Sequence, residues 1–148
     1  MRTFSLIFFL LFAASTCSPS HAIAAASRVA IIASSDVKPL TMDQLKNVYS
    51  LKQKFLPNKA PVKLVQQPLN TQVSQDFTRH LFEIYPYQLQ RIWDRQVFSG
   101  RARAPKVIDT EGKIFAHIAT NSNTIAYVSA NSALFLEYKG KINVLATF

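Results

Sequence analysis

PVKLVQQPLNTQVSQDFTRHL, residues 61–81, contains the strand-to-helix transition that decides the fold. Its apolar run 62–65 is long enough for one strand, and Pro68 then breaks the pattern. Val73, Phe77 and Leu81 follow at helical spacing, which predicts an amphipathic helix. A strand that enters a helix through a polar turn directs unpaired N–H groups and the positive helix end to one place. This turn can therefore hold an anion without a charged side chain.

The segment before this unit predicts one strand and one helix. Residues 28–33 are an apolar run typical of a buried strand, which ends at Ser34 and Ser35. Thr41 and Gln44 have the spacing of a capping box, so we expect a helix to begin there. Its buried side chains are predicted to be Met42, Leu45, Val48 and Tyr49.

The segment after it continues the alternation of helices and strands. Pro86 is suited to the first position of a helix, which Ser99 and Gly100 then end. Further strands are predicted at 106–108, 124–128 and 142–145, with a helix capped by Asp109 or Thr110 between the first two. Alternating strands and helices predict an α/β domain with a largely parallel sheet flanked by helices. The aromatic residues expected in its core are Phe55, Phe77, Phe82, Trp93, Phe98, Phe115 and Tyr127.

The N-terminal region has the features of a secretory signal peptide. Arg2 precedes an uncharged apolar run at 6–14, and small residues allow cleavage after Ala24 or Ala26. We expect a signal peptide at 1–26, one domain at 27–148 and a periplasmic location. A lipid anchor on Cys17 is the alternative, although the residues before Cys17 lack the usual pattern.

Composition and motifs argue against an enzyme. Lys and Arg total 17 against 8 Asp and Glu, so the chain attracts anions, while export disfavours nucleic acid as a partner. No glycine-rich phosphate loop, zinc-ligand spacing or nucleophile with an adjacent base is present. The histidines His80 and His117 are expected to be packing or surface residues. We therefore predict no catalytic residue, metal or cofactor.

Four short motifs follow one another along the chain in a distinctive order. They are the helix start 40–49, the strand-turn-helix ending in Asp76-Phe77, the segment 93–100 (WDRQVFSG) and the strand 125–128 (IAYV). This order resembles that of small periplasmic proteins related to phosphate-transporter substrate-binding proteins. The resemblance implies a periplasmic-binding-protein-like α/β fold of single-lobe size. It also implies binding of phosphate or another oxyanion for uptake or sensing.

The resemblance also indicates a candidate ligand site, although its residues differ from the family pattern. The family often has Gly-Ser in the turn followed by Arg, where this chain has Asn70, Thr71 and Ser74. Thr71 and Ser74 would donate to an anion above the helix that begins near Asn70. Ser34 and Ser35, at the end of the first strand, would close the other side, as expected where parallel strands end.

Two other functions remain open at this stage. Loss of the family's arginine at Ser74 favours a non-binding accessory module of a membrane transporter or envelope complex. The basic residues Lys52, Lys54, Arg101 and Arg103 favour association with acidic lipid or another polyanion.

Overall fold

A computed structural model describes residues 28–148 of the chain. The predicted signal peptide at 1–26 lies outside the described residues. The elements in chain order are β1 (Val29–Ser34), α1 (Met42–Tyr49), β2 (Lys63–Gln66), α2 (Gln72–Phe82), α3 (Pro86–Phe98), β3 (Lys106–Val107), α4 (Glu111–Thr120), β4 (Thr124–Ser129), α5 (Leu134–Glu137) and β5 (Ile142–Thr147). All were predicted except the short helix α5.

The sheet has the strand order β3-β2-β4-β1-β5. β2 is parallel to both of its neighbours, β3 and β4. β1 is antiparallel to both β4 and β5, so four strands run in one direction and β1 alone runs in the other. The prediction of an α/β fold with a largely parallel sheet is confirmed. The opposite direction of β1 has a consequence for the candidate site.

Helices cover both faces of the sheet. In β1, Val29, Ile31 and Ala33 face a core shared with α1, α2 and α3, while Ala30 and Ile32 face a second core with α4 and α5. Alternate residues of a strand point to opposite faces, so a strand covered on both faces is apolar throughout. All six residues of β1 are accordingly buried.

Local sequence signals place the helix ends. The Thr41 side chain accepts from the Gln44 N–H, and the Gln44 side chain accepts from the Thr41 N–H, which confirms the predicted capping box. Pro86 is the first residue of α3, as predicted. Gly100, just past its end, has a φ of 68°, a left-handed conformation that glycine adopts without strain.

Three predicted core side chains are exposed instead. Met42 is 44% exposed because it lies in the first turn of α1, ahead of the buried residues of that helix. Phe55 lies in the loop after α1, and Phe98 is the last residue of α3. Phe55 in a loop and Phe98 at a helix end lie outside the packed faces of the helices and the sheet, and they are 56% and 88% exposed.

Within residues 28–148, no helix combines the length and hydropathy needed to cross a bilayer.

Candidate functional site

The N-terminus of α2 is positioned by Thr71. Its Oγ1 accepts from the Ser74 N–H at 3.2 Å, which satisfies one of the four unpaired N–H groups of the first turn. Gln75 N–H donates to the Thr71 carbonyl, as in a regular helix. The amides of Gln72 and Val73 have no acceptor among the described residues. They are the free donors of this turn.

Ser74 lies underneath this turn and is fully buried. Its Oγ donates to the Pro68 carbonyl at 2.9 Å and lies 2.9 Å from both the Thr71 and the Tyr127 hydroxyls. Tyr127 Oη can also donate to the Gln67 carbonyl, at 3.4 Å. These hydroxyl protons are therefore all used within the protein. The Ser74 side chain fixes the turn against β4. Because its hydroxyl is already occupied, the groups of this turn that remain free to contact an anion are the backbone N–H groups.

An aromatic cluster forms the base of this network. The rings of Phe77 and Tyr127 stack at a centroid distance of 4.0 Å, and Tyr49 meets Phe77 edge-on at 4.7 Å. Burial raises the pKa of Tyr127 to about 12, although hydrogen bonds with Ser74 and the Gln67 backbone act to lower it. Burial, assisted by the nearby Tyr127, raises the pKa of Tyr49 still more strongly. Both phenols are thus neutral at physiological pH. The Tyr127 hydroxyl is hydrogen-bonded, whereas the buried Tyr49 hydroxyl has no partner among the described residues.

The structure brings Asn70, Thr71 and Ser74 together but places Ser34 and Ser35 elsewhere. Because β1 runs opposite to β4, Ser34 lies beside the beginning of β4, where its Oγ accepts from the Thr124 N–H at 3.1 Å. Tyr127, under the α2 turn, is three residues further, roughly 10 Å along the strand. The predicted closure of the site by Ser34 and Ser35 is therefore wrong in its geometry.

Ser34 instead belongs to a cluster that anchors the loop before β4. Asp36 Oδ2 accepts from the Asn123 N–H at 2.9 Å. Partial burial pushes the pKa of Asp36 upward, but hydrogen bonds from Ser34 and the Asn123 backbone outweigh it, and the pKa lies below its ordinary value. Asn123 has a φ of 57°, which Asn tolerates better than most residues. The cluster has a structural role.

The two helices that begin at the carboxyl ends of β2 and β3 differ in their first turns. At α4, Glu111 Oε1 accepts from the Ser129 N–H at 2.6 Å, so the chain supplies its own carboxylate at the end of β4. At α2, the first turn contains no acidic residue. Of these two helices, only α2 combines open amides with a first turn that lacks an acidic residue.

A cleft that the sequence analysis missed lies beside the α2 turn. It has a volume of about 580 Å³ and is lined by Leu69, Asn70, Gln75, Arg79, Ile84, Tyr85, Pro86, Tyr87 and Gln90. The Arg79 side chain is exposed, and no carboxylate lies within 4 Å of it among the described residues. Gln75 and Arg79 are four residues apart on α2, a helical spacing that could have indicated a polar wall.

The acidic residue nearest to the turn is Asp76. It is largely buried, and its Oδ1 accepts from the Gln72 side chain at 3.0 Å, while Oδ2 has no partner. Across residues 28–148, no three His, Cys, Asp or Glu side chains are grouped as metal ligands. The chemistry available at this site is hydrogen bonding and one cationic contact.

Comparison with solved structures finds a similar fold in proteins described as phosphate-binding or as substrate-binding proteins of phosphate transporters. A Clostridium perfringens protein described as a phosphate ABC transporter substrate-binding protein, solved with bound phosphate, matches 80% of this chain with a TM-score of 0.56 and 16% identity. PstS from Borrelia burgdorferi matches 81% with a TM-score of 0.53 and 12% identity. A Planctomyces limnophilus protein described as phosphate-binding matches 80% with a TM-score of 0.54 and 10% identity.

This chain spans about half the length of these structures. The matches cover 54%, 47% and 41% of the Clostridium, Borrelia and Planctomyces chains, respectively. No protein-family model and no curated protein sequence matches the chain. The likeness therefore shows the fold, that of one lobe of a substrate-binding protein.

Proposed function

We propose that this chain is an exported, periplasmic binding lobe that holds a small oxyanion, with phosphate the first candidate, at the α2 turn. The observation that carries the proposal is that a cleft lined by an unpaired arginine also contains Asn70, the residue just before the turn with the open amides. Asn70 and Arg79 line that cleft, and Gln72 and Val73, whose N–H groups have no acceptor among the described residues, follow Asn70 by two and three positions in the chain. The fold shared with substrate-binding proteins supports the same reading.

Each part of the site supplies a different contribution. The α2 terminus has roughly half a positive charge and directs N–H donors outward, which favours an anion. Arg79 adds a full charge and can bind two oxygens of a planar or tetrahedral anion. Asn70 is exposed and adds a neutral donor. Thr71 and Ser74 contribute by keeping the turn in place.

The anion would remain partly in water, since one lobe covers only one side of it. Hydrogen bonds and charge contacts are weaker in water than in a closed cleft. We expect millimolar affinity. At about tenfold excess over the dissociation constant, the bound anion adds roughly 1.4 kcal/mol of stability, which raises Tm by roughly 5 °C.

Calorimetry and thermal shift with phosphate and with sulfate at low salt test this proposal. Arg79→Gln and Asn70→Ala should weaken binding, while Lys139→Gln removes one charge beyond α5 and should leave it unchanged. If the wild-type protein shows neither heat nor a Tm shift with either anion at millimolar concentration, the proposal fails.

A second function, the accessory module of a transporter or envelope complex, is favoured by one observation. The Thr71, Ser74 and Tyr127 hydroxyls satisfy one another, so these three side chains need no ligand as a hydrogen-bond partner. Crosslinking in the intact envelope followed by purification would recover a membrane partner for a module. Recovery of such a partner together with absent anion binding would support this second function over the first.

A further inference from the structure

The outer face of α3 carries exposed aromatic and cationic side chains. We define this face by Tyr87, Arg91, Arg95 and Phe98, which recur at intervals of three or four residues. Tyr87 is 57% exposed and Phe98 is 88% exposed. The opposite side of the same helix is buried through Leu89 and Trp93. α3 is thus packed on one side and carries exposed aromatic rings and cations on the side that faces water.

Positive charge is concentrated around this face. Arg95 lines a cleft of about 610 Å³ between α1 and α3 together with Lys46 and Lys52, against one acidic residue, Asp43. None of these three cations has a carboxylate within 4 Å among residues 28–148, where Lys113 forms the only ion pair. Arg101 follows α3, and its backbone N–H donates to the carbonyl of Gln96, a residue that lines this cleft.

The acidic residue of α3, Asp94, forms no ion pair within 4 Å with the two arginines of this face, which outnumber it. Asp94 is half-buried, and its Oδ1 accepts from the Gln90 side chain at 2.6 Å. Arg91 lies instead over the Tyr87 ring, with its Cζ 5.8 Å from the ring centroid. Tyr87 in turn stacks on Tyr85 at 6.0 Å. The arginine is held at the surface by an aromatic contact and keeps its charge available.

We propose that the outer face of α3 docks onto an anionic membrane surface. Phe98 would enter the boundary between headgroups and acyl chains, and Tyr87 would lie at headgroup level, where amphipathic aromatic rings are favoured. Arg91, Arg95 and the neighbouring Lys46 and Lys52 would contact lipid phosphates. A cationic helix face with exposed aromatic residues is typical of binding parallel to a bilayer surface.

Charge argues for lipid over a second copy of this chain. The chain has a formal charge of +9, so two copies of the same cationic face would repel each other. An anionic bilayer provides both the complementary charge and an apolar layer for Phe98. Tyr87 also lines the oxyanion cleft, but the cations of this face, Arg91, Arg95, Lys46 and Lys52, do not line it. The two proposals therefore use different charged groups.

Flotation with vesicles tests the proposal. The wild-type protein should float with vesicles containing phosphatidylglycerol at low salt, should be released at high salt, and should not float with pure phosphatidylcholine. Arg91→Gln with Arg95→Gln should reduce binding by roughly tenfold or more, since each cation near an anionic surface contributes measurably. Phe98→Ser should also reduce binding, with little change in Tm because the ring is exposed.

A double control variant matches the charge change on the other face of the sheet. Lys139→Gln with Lys141→Gln removes two cations after α5, which packs on the second core, and should leave flotation unchanged. Arg79→Gln should also float normally, so failure of the oxyanion site is distinguishable. Soluble glycerol phosphate at millimolar concentration should not release the protein.

Three results would overturn the docking proposal. One is a wild-type protein that does not float with phosphatidylglycerol vesicles at low salt. The second is equal loss of flotation in the Lys139/Lys141 control, which would indicate a general effect of net charge. The third is release by soluble glycerol phosphate, which would indicate a free-anion site in place of a membrane contact.

Discussion

The hydroxyl groups of Ser74 and Tyr127 lie 2.9 Å apart and join the first turn of α2 to the middle of β4. Ser74 is fully buried, and Tyr127 stacks on Phe77 of the same helix. The turn that we propose as an anion site is therefore fixed from below by hydrogen bonds and by aromatic packing. This contact links residues that are 53 positions apart in the sequence.

Ser74→Ala should destabilise the protein by about 1–3 kcal/mol, because it removes a buried hydroxyl that bonds the Tyr127 hydroxyl and the Pro68 carbonyl. Urea denaturation measures the change. In a double-mutant cycle with Tyr127→Phe, the two substitutions should be coupled by at least about 0.5 kcal/mol. Ser99→Ala, at an exposed position after α3, is the matched control and should change stability little. Additive effects of Ser74→Ala and Tyr127→Phe would contradict the bond.

Thr71→Val should cost about 1 kcal/mol, because it removes the oxygen that caps the Ser74 N–H. Thr110 occupies the same N-cap position of α4 but makes no side-chain cap bond, so Thr110→Val should have little effect. Thermal unfolding of the two variants side by side gives the comparison. Equal losses in both would show that the cap at α2 contributes nothing specific.

Phe77→Ala should lower the free energy of unfolding by about 3–5 kcal/mol, since it empties a fully buried site between Tyr49 and Tyr127. Phe98→Ala should change it by less than about 0.5 kcal/mol, because that ring is exposed. Chemical denaturation distinguishes the two. A large loss in Phe98→Ala would mean that the outer face of α3 is covered within the protein.

Stability should fall as the pH is lowered from about 7 toward 5, in part through His117. Desolvation, followed by the positive charges of Lys106 and Lys63, holds the pKa of His117 below its ordinary value of 6.5. The unfolded chain therefore binds the proton more readily than the folded protein does, so the stabilising contribution is present above pH 6.5 and is lost below it. His117→Gln should flatten this part of the curve of unfolding free energy against pH. An unchanged slope would contradict the assignment.

The position of the α2 turn could be predicted from the sequence, because its signal is local. Asn70 and Thr71 follow a strand and precede a helix in the chain. Pro68 and the helical spacing of apolar residues after it therefore predicted their position at the N-terminus of α2. The position of Ser34 and Ser35 could not be predicted without the direction of β1. That direction depends on pairing with β4, some 90 residues later in the chain. The sequence did not indicate Arg79 as a site residue, because the cleft that it lines is completed by residues of α3. The packing of α3 beside α2 is a property of the tertiary structure.

The sequence by itself determined the helices, their caps and the alternation that defines an α/β domain, because these depend on contacts among residues close in the chain. Only the tertiary structure decided that β1 runs against β4, that Ser74 is buried against Tyr127, and that Phe98 faces water. Each of these depends on which distant segment covers a given side chain. Periodicity identifies a face of an element but cannot identify the partner that packs against it.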